Sequence, residues 1–299
     1  MRVILFFIDG LGLGPAGENN PLYITPTPCL NGLLEGRSLT LEAAGTKNDQ
    51  ATLLTLDATL GVPGLPQSAT GQTTLFTGVN APQSVGRHIR GFPTEPLRKI
   101  LDAEGILKKA IKAGKKSLFL NGFRPEFFSE LAKGNRFFSA TTLMNLYSGL
   151  PFCTFEDMLA GRSVYSDITN EVLHAMGFDM PYVAPEQAGE ILAHQSAEHD
   201  FLLFEYFLTD MVAHKRNLEK ASYSITVIDR FLGRALSKLD LSETLVIITS
   251  DHGNIEDLST GSHTKNPVPL LLIGTGRDTL PGFMDLADIT PFILDRLEK

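Results

Sequence analysis

The chain has 299 residues, 43% of them hydrophobic, enough to bury a sizeable core in one large α/β domain or two smaller ones. With 26 Lys and Arg against 34 Asp and Glu the formal charge is -8, and no dense basic run occurs, which argues against a general binder of nucleic acid or of an anionic membrane. The two cysteines, Cys29 and Cys153, lack CxxC spacing; they exclude a disulfide framework and are expected as buried thiols.

In chain order, the apolar run VILFFI opens the sequence and leads straight into Asp9-Gly10. It is too short for a signal peptide or a membrane span, so a cytoplasmic protein is expected. Further runs rich in Val, Ile, Leu and Phe follow as SLFL, FLLFEYFL, LVIITS and VPLLLI. Between them lie segments with apolar residues at helical spacing: ILKKAIKAG, PEQAGEILAHQ, the stretch from Leu218 to Leu239, and DITPFILDRLE, with Pro185 and Asp288 as start signals. Alternation of this kind predicts an α/β fold, a three-layer sandwich around a mainly parallel sheet whose strands are buried on both faces. The Gly/Pro-rich segments GLGLGPAGENNP and GVPGLPQ are expected as site loops. Residues 1–299 are read as a single domain, with a small cap or insertion within about 84–189, where periodicity weakens. The aromatic stretch GFRPEFFSE is expected as cap core, and the oligomeric state is left open.

Polar residues placed directly after the apolar runs carry the chemistry. In an open α/β sheet, ligands gather where loops leave the carboxyl ends of the strands. Asp9, Asp210 and Asp251 each sit at such a point, and His252 is adjacent to the last of them. Asp210 and His214, four residues apart, would share one face of a helical turn, while His263 lies in the loop before VPLLLI. Three carboxylates and three imidazoles form two coordination shells for borderline divalent ions such as Mn2+ or Zn2+. Ser68, in PQSATGQTTLFTG, stands where a helix begins: read alone it is a helix cap, and read with the other residues it is a nucleophile and a seventh ligand.

These segments resemble the alkaline phosphatase superfamily, in the branch of cofactor-independent phosphoglycerate mutase and phosphopentomutase. The matching stretches are FFIDGLG, TPTPCLNGLL, SATGQTTLFTG, TDMVAH, TSDHGNIED and SHTKNPVPLL, in the family's order. The resemblance implies that Asp210, His214 and His263 hold one metal. It assigns the other to Asp9, Asp251 and His252, with Ser68 bridging as nucleophile and Thr70 as a lesser candidate. Gln72 stands where these mutases carry His, and a chain of this length has no room for their large cap domain.

Implied by the resemblance is a two-metal phosphoryl-transfer enzyme acting on a small phosphorylated substrate through a phosphoserine on Ser68. Transfer to water gives a hydrolase of small phosphate esters, the reading favoured here, and transfer to a second substrate hydroxyl gives a mutase for phosphoglycerate or a phosphosugar. A non-catalytic, metal-stabilised metabolite-binding protein is the rival from another class. Arg87, His88 and Arg90 in GRHIRGF are expected to grip phosphate, and Asn254 and Thr264, neighbours of the ligands, to orient them.

Overall fold

The computed structural model describes residues 1–134, 137–278, 282 and 285–299. Among these, β1 (Arg2–Ile8), β2 (Ala51–Leu56), β3 (Ser117–Phe119), β4 (Phe201–Tyr206), β5 (Thr244–Thr249) and β6 (Val268–Gly274) form one sheet in the order β2-β6-β5-β1-β4-β3. β5, β1, β4 and β3 pair in parallel, whereas β6 is antiparallel to both β5 and β2. The five apolar runs therefore become five strands. β2, from ATLLTL, is a sixth that the sequence reading passed over. The reversal of β6 follows from its connection, which contains no crossover helix to carry the chain back across the sheet. Instead β5 and β6 form a wide hairpin, and a single antiparallel bridge joins Gly253 to Thr264 within its loop.

Strand alternation divides β1 between two cores. Ile4, Phe6 and Ile8 face one side, where the helices Pro185–Ala197 and Leu218–Lys238 pack; there Phe6 meets Phe204 and Phe231 at centroid distances of 5.5 and 5.4 Å. Val3, Leu5 and Phe7 face the other side, covered by Ser68–Thr77, Ile106–Lys112, Ala140–Ser148 and Ile289–Glu298. The result is the three-layer sandwich. Pro185 occupies the first helical position as expected. Asp288 stands at the N-cap position of the helix Ile289–Glu298 as expected, but its side chain makes no cap bond there and accepts from the Asp285 N–H of the preceding turn.

Cys153 is buried and Cys29 half-buried; both are free thiols, and burial pushes each up to about 12, which leaves them protonated. Among the described residues no helix is long and apolar enough to cross a membrane. The segment 84–189 supplies β3 and three helices of the second core layer, Glu95–Glu104, Ile106–Lys112 and Ala140–Ser148, while Met158, Leu173 and Met180 build a small cluster of their own within it.

Candidate metal centre

The three aspartates and three histidines read above as metal ligands arrive at one edge of the sheet. Asp9 follows β1, Asp251 and His252 leave β5, and Asp210 lies in the short helix Leu208–Ala213 that begins two residues after β4 ends. Because β6 runs antiparallel, the loop that precedes it returns to the same edge and brings His263 with it. Gly10 makes the turn after Asp9 at a positive φ of 71°, and a Cβ there would stand 3.0 Å from the Asp210 side chain. Its N–H points to Asp251 Oδ1 at 3.4 Å, and Thr209 Oγ1 donates to the Asp9 carbonyl at 2.6 Å, tying the three strand ends together.

The residues form two groups, each with ligand atoms within 4.8 Å of one another: Asp210, His214 and His263, and Asp9, Asp251 and His252. In the first, the Asp210 oxygens lie 3.2 Å from His214 Nε2 and 3.5 Å from His263 Nε2. The opposite ring nitrogens are held by carbonyls, His214 Nδ1 by Gly261 at 2.9 Å and His263 Nδ1 by Pro66 at 2.7 Å. A carbonyl only accepts, so each Nδ1 donates its proton there, which leaves each Nε2 as the ring atom available to an ion. The two Nε2 atoms face each other across 3.3 Å with the Asp210 carboxylate beside both. In the second group, His252 Nε2 is 3.4 Å from both Asp9 Oδ1 and Asp251 Oδ2, and its ring stacks on His263 at 3.6 Å.

Electrostatics describe a site built for added positive charge. Burial raises the Asp9 carboxyl well above its ordinary range, and the charges of Asp251, Asp210 and Glu205 raise it further. Asp251 is raised in the same direction by burial and by Asp210. Burial, reinforced by His263, pushes His252 down to about 3, so its ring is neutral and able to ligate. Asp9 Oδ1 and His252 Nδ1 are buried without a hydrogen-bond partner. The ion-pair partners of Asp9, Asp210 and Asp251 are histidines, not lysine or arginine. Oxygen and imidazole donors, mutually repelling acids and an orphaned carboxylate oxygen fit two divalent cations.

Ser68 is the first residue of the helix Ser68–Thr77, and Gln67 is its N-cap, so the serine hydroxyl is not spent on capping. Ser68 Oγ lies 2.9 Å from His252 Nε2. Thr70 is differently placed: buried, it donates to the Gln67 carbonyl and accepts from the Ile89 N–H at 3.1 and 3.2 Å. Gln72 Nε2 donates to both Asp9 Oδ2 and Asp251 Oδ2, at 3.2 and 3.1 Å. Asn254 Nδ2 donates to Asp210 Oδ1 at 2.7 Å, whereas Thr264 bonds the buried Glu256 instead of a ligand. Glu256 in turn accepts from the Gly12 and Asn254 N–H groups at 3.1 and 2.7 Å, fastening the two site loops to each other.

Close helix approach is what sets Ser68 beside His252. A Cβ on Gly71 would fall 2.7 Å from the Asp251 carbonyl oxygen. Gly71→Ala should therefore push the helix away from the Asp251 loop, lowering kcat and costing about 1–3 kcal/mol in a denaturant titration. Wild-type turnover and stability in that variant would contradict the contact.

A cavity of about 560 Å³ opens over this edge, with Asp9, Ser68, Gln72 and Asp210 at its floor. Arg87, His88 and Arg90 are not among its lining residues, and His88 Nε2 instead meets the Val62 carbonyl at 3.2 Å. The following residues, Gly91 and Phe92, reach the cavity, and among the described residues Arg124 is the one arginine in its lining. GFRPEFFSE, expected as core, supplies wall: its helix, Pro125–Ala132, contains no fully buried residue, and Phe123 and Phe127 face the cavity.

Sequence reasoning also missed Glu205. It lies within β4, lines the cavity, and is pushed up to about 7 by burial, with Thr141 Oγ1 donating to it at 2.6 Å. An acid in the midst of FLLFEYFL was the available signal.

A family model described as the Metalloenzyme superfamily matches residues 1–298. The chain is similar to a 2,3-bisphosphoglycerate-independent phosphoglycerate mutase of Dinoroseobacter shibae, with 40% identity over 120 residues, 37% of this chain and 23% of the mutase. The matched stretch thus takes in about a quarter of that enzyme's length. Among solved structures, a protein from Pyrococcus horikoshii superposes with a TM-score of 0.60 at 19% identity, covering 99% of this chain and 96% of that one. An alkaline phosphatase from the Antarctic bacterium TAB5 superposes with a TM-score of 0.53 at 15% identity, covering 99% and 98%. At these identities the two structures establish a shared fold.

Proposed function

Because the chain belongs to the Metalloenzyme superfamily, we propose that it is a two-metal phosphoryl-transfer enzyme that hydrolyses small phosphate esters through a phosphoserine on Ser68. The observation that carries this reading is the position of Ser68 Oγ: at a helix N-terminus, 2.9 Å from His252 Nε2, on the floor of an accessible cavity.

Asp210, His214 and His263 would hold one ion, and Asp9, Asp251 and His252, with Ser68, the other; manganese and zinc both suit these donors. When bound, the ions would neutralise the phosphoryl oxygens and favour the ionised serine. Ser68 Oγ attacks phosphorus, its bond to the phosphoryl group forms as the bond to the substrate alcohol breaks, and the alcohol leaves with a proton from solvent. The helix N-terminus faces the negative charge that gathers at Ser68. Gln72 holds the carboxylates of Asp9 and Asp251 in a fixed relation, and Asn254 does so for Asp210. Water then displaces Ser68 from phosphorus, releasing inorganic phosphate and restoring the hydroxyl.

A second reading is favoured by the similarity to phosphoglycerate mutases, in which the phosphoryl group would return to another hydroxyl of the same substrate. Such an enzyme must exclude water and hold its intermediate with dedicated clamps. Among the described residues the cavity lining carries a single arginine, which supports hydrolysis instead. The manganese- or zinc-loaded protein is expected to release free phosphate from a panel of phosphomonoesters, and to stop when the metal is chelated. Positional isomers of the esters formed without free phosphate would replace the hydrolase by the mutase.

A further inference from the structure

Resting on this phosphoryl-transfer reading, we infer that the substrate is a phosphate ester of an uncharged aromatic alcohol, whose ring seats against a wall of phenylalanines above Ser68. The cavity that holds Ser68 and Asp210 at its floor is lined further out by Phe92, Phe119, Phe123, Phe127, Phe138 and Phe207. These rings already pack as an aromatic surface: Phe123 and Phe127 lie 4.2 Å apart, and Phe127 and Phe138 5.3 Å apart. Phe92 stands at this wall 54% exposed, so a ligand ring would remove from water a face that the protein itself leaves wet.

The phenylalanine wall offers little to a second anionic group on the leaving alcohol. Beside the phenylalanines stand Glu126 and Glu130, the latter paired with Lys133 Nζ at 2.9 Å, and Arg124, the one arginine among the described lining residues, lies with Nη1 3.3 Å from Met176 Sδ. A carboxylate carried by the alcohol would leave most of the apolar wall uncovered.

Binding separates these cases without turnover. Calorimetry on the metal-loaded Ser68→Ala protein compares 2-phenylethyl phosphate with glycerol 3-phosphate and 3-phosphoglycerate, all esters of primary alcohols. The aromatic ester is expected to bind at least about tenfold tighter, from ring burial alone. Phe92→Ala should weaken it by roughly three- to tenfold and leave glycerol 3-phosphate unchanged. Phe127→Ala should do the same; if it fails to fold, the exposed Phe92 position carries the comparison. Equal or tighter binding of either small polar ester would overturn the inference. Wild-type turnover decides the underlying reading separately. Tight binding of the aromatic ester without phosphate release removes the hydrolase and keeps the pocket, whereas phosphate release with a preference for 3-phosphoglycerate does the reverse.

Discussion

Ser68→Ala should lower kcat by at least about 10³-fold while leaving the fold intact, because it removes the nucleophile and little else. The hydroxyl makes its contact with His252 rather than with the helix backbone, and Gln67 is the N-cap, so no cap is lost. Ser68 is half-buried, and deleting one oxygen there should shift the denaturation midpoint by less than about 0.5 kcal/mol. Metal bound by Asp210, His214 and His263 should be retained in full, as measured by plasma emission spectrometry. Thr70→Val is the matching control. Its hydroxyl is engaged by the Gln67 carbonyl and the Ile89 N–H, so its loss should affect stability before turnover. Phosphate release persisting near wild-type levels in Ser68→Ala, or lost in Thr70→Val with Ser68 present, would move the nucleophile elsewhere.

How much of this was legible in the sequence depended on whether a residue's role is set by its own strand or by another. VILFFI, FLLFEYFL and LVIITS announce buried parallel strands, and an acid placed directly after each run can only lie at the sheet's carboxyl edge. Asp9, Asp210 and Asp251 were therefore readable one by one, and the fold brings His214, His252 and His263 to them. Long-range placement was not readable. The antiparallel course of β6 depends on a loop closing as a hairpin, and β2 finds its place only by pairing with β6. GRHIRGF has the composition of a phosphate clamp, but which side of a loop faces the cavity is a tertiary matter, and Gly91 and Phe92 reach it in place of the basic residues. Gln72 was noticed only as a departure from a family pattern. Its two hydrogen bonds, to Asp9 and Asp251, join residues far apart in the chain.

Metal should stabilise the protein strongly at pH 8 and scarcely at pH 5. Asp9 and Asp251 hold their protons more tightly in the folded chain than in the unfolded one, and Glu205, ordinarily at 4.5, is pushed up to about 7. An acid raised in this way lends its full stability below its unfolded value and loses it as pH rises through the folded one. For Glu205 alone that loss is on the order of 3 kcal/mol between about pH 4.5 and 7. His252 acts in the opposite sense. Ordinarily at 6.5 but held down to about 3, it opposes folding progressively as pH falls below 6.5. The metal-free protein's own profile is consequently a partial cancellation, whereas the gain on adding metal is not. Ions bind the ionised carboxylates and neutral imidazoles, so at low pH they must displace protons that the folded site retains. At metal concentrations about a thousandfold above Kd the gain at pH 8 should reach about 4 kcal/mol, or roughly 10 °C in Tm. Differential scanning calorimetry of stripped and loaded protein from pH 5 to 8 reads this directly. Asp251→Asn supplies the sharper comparison: with one buried charge removed, the stripped variant should melt above stripped wild type at pH 8, while most of the metal gain disappears. A stripped variant that melts lower, or a metal gain that is flat with pH, would mean that repulsion among these acids does not govern the site.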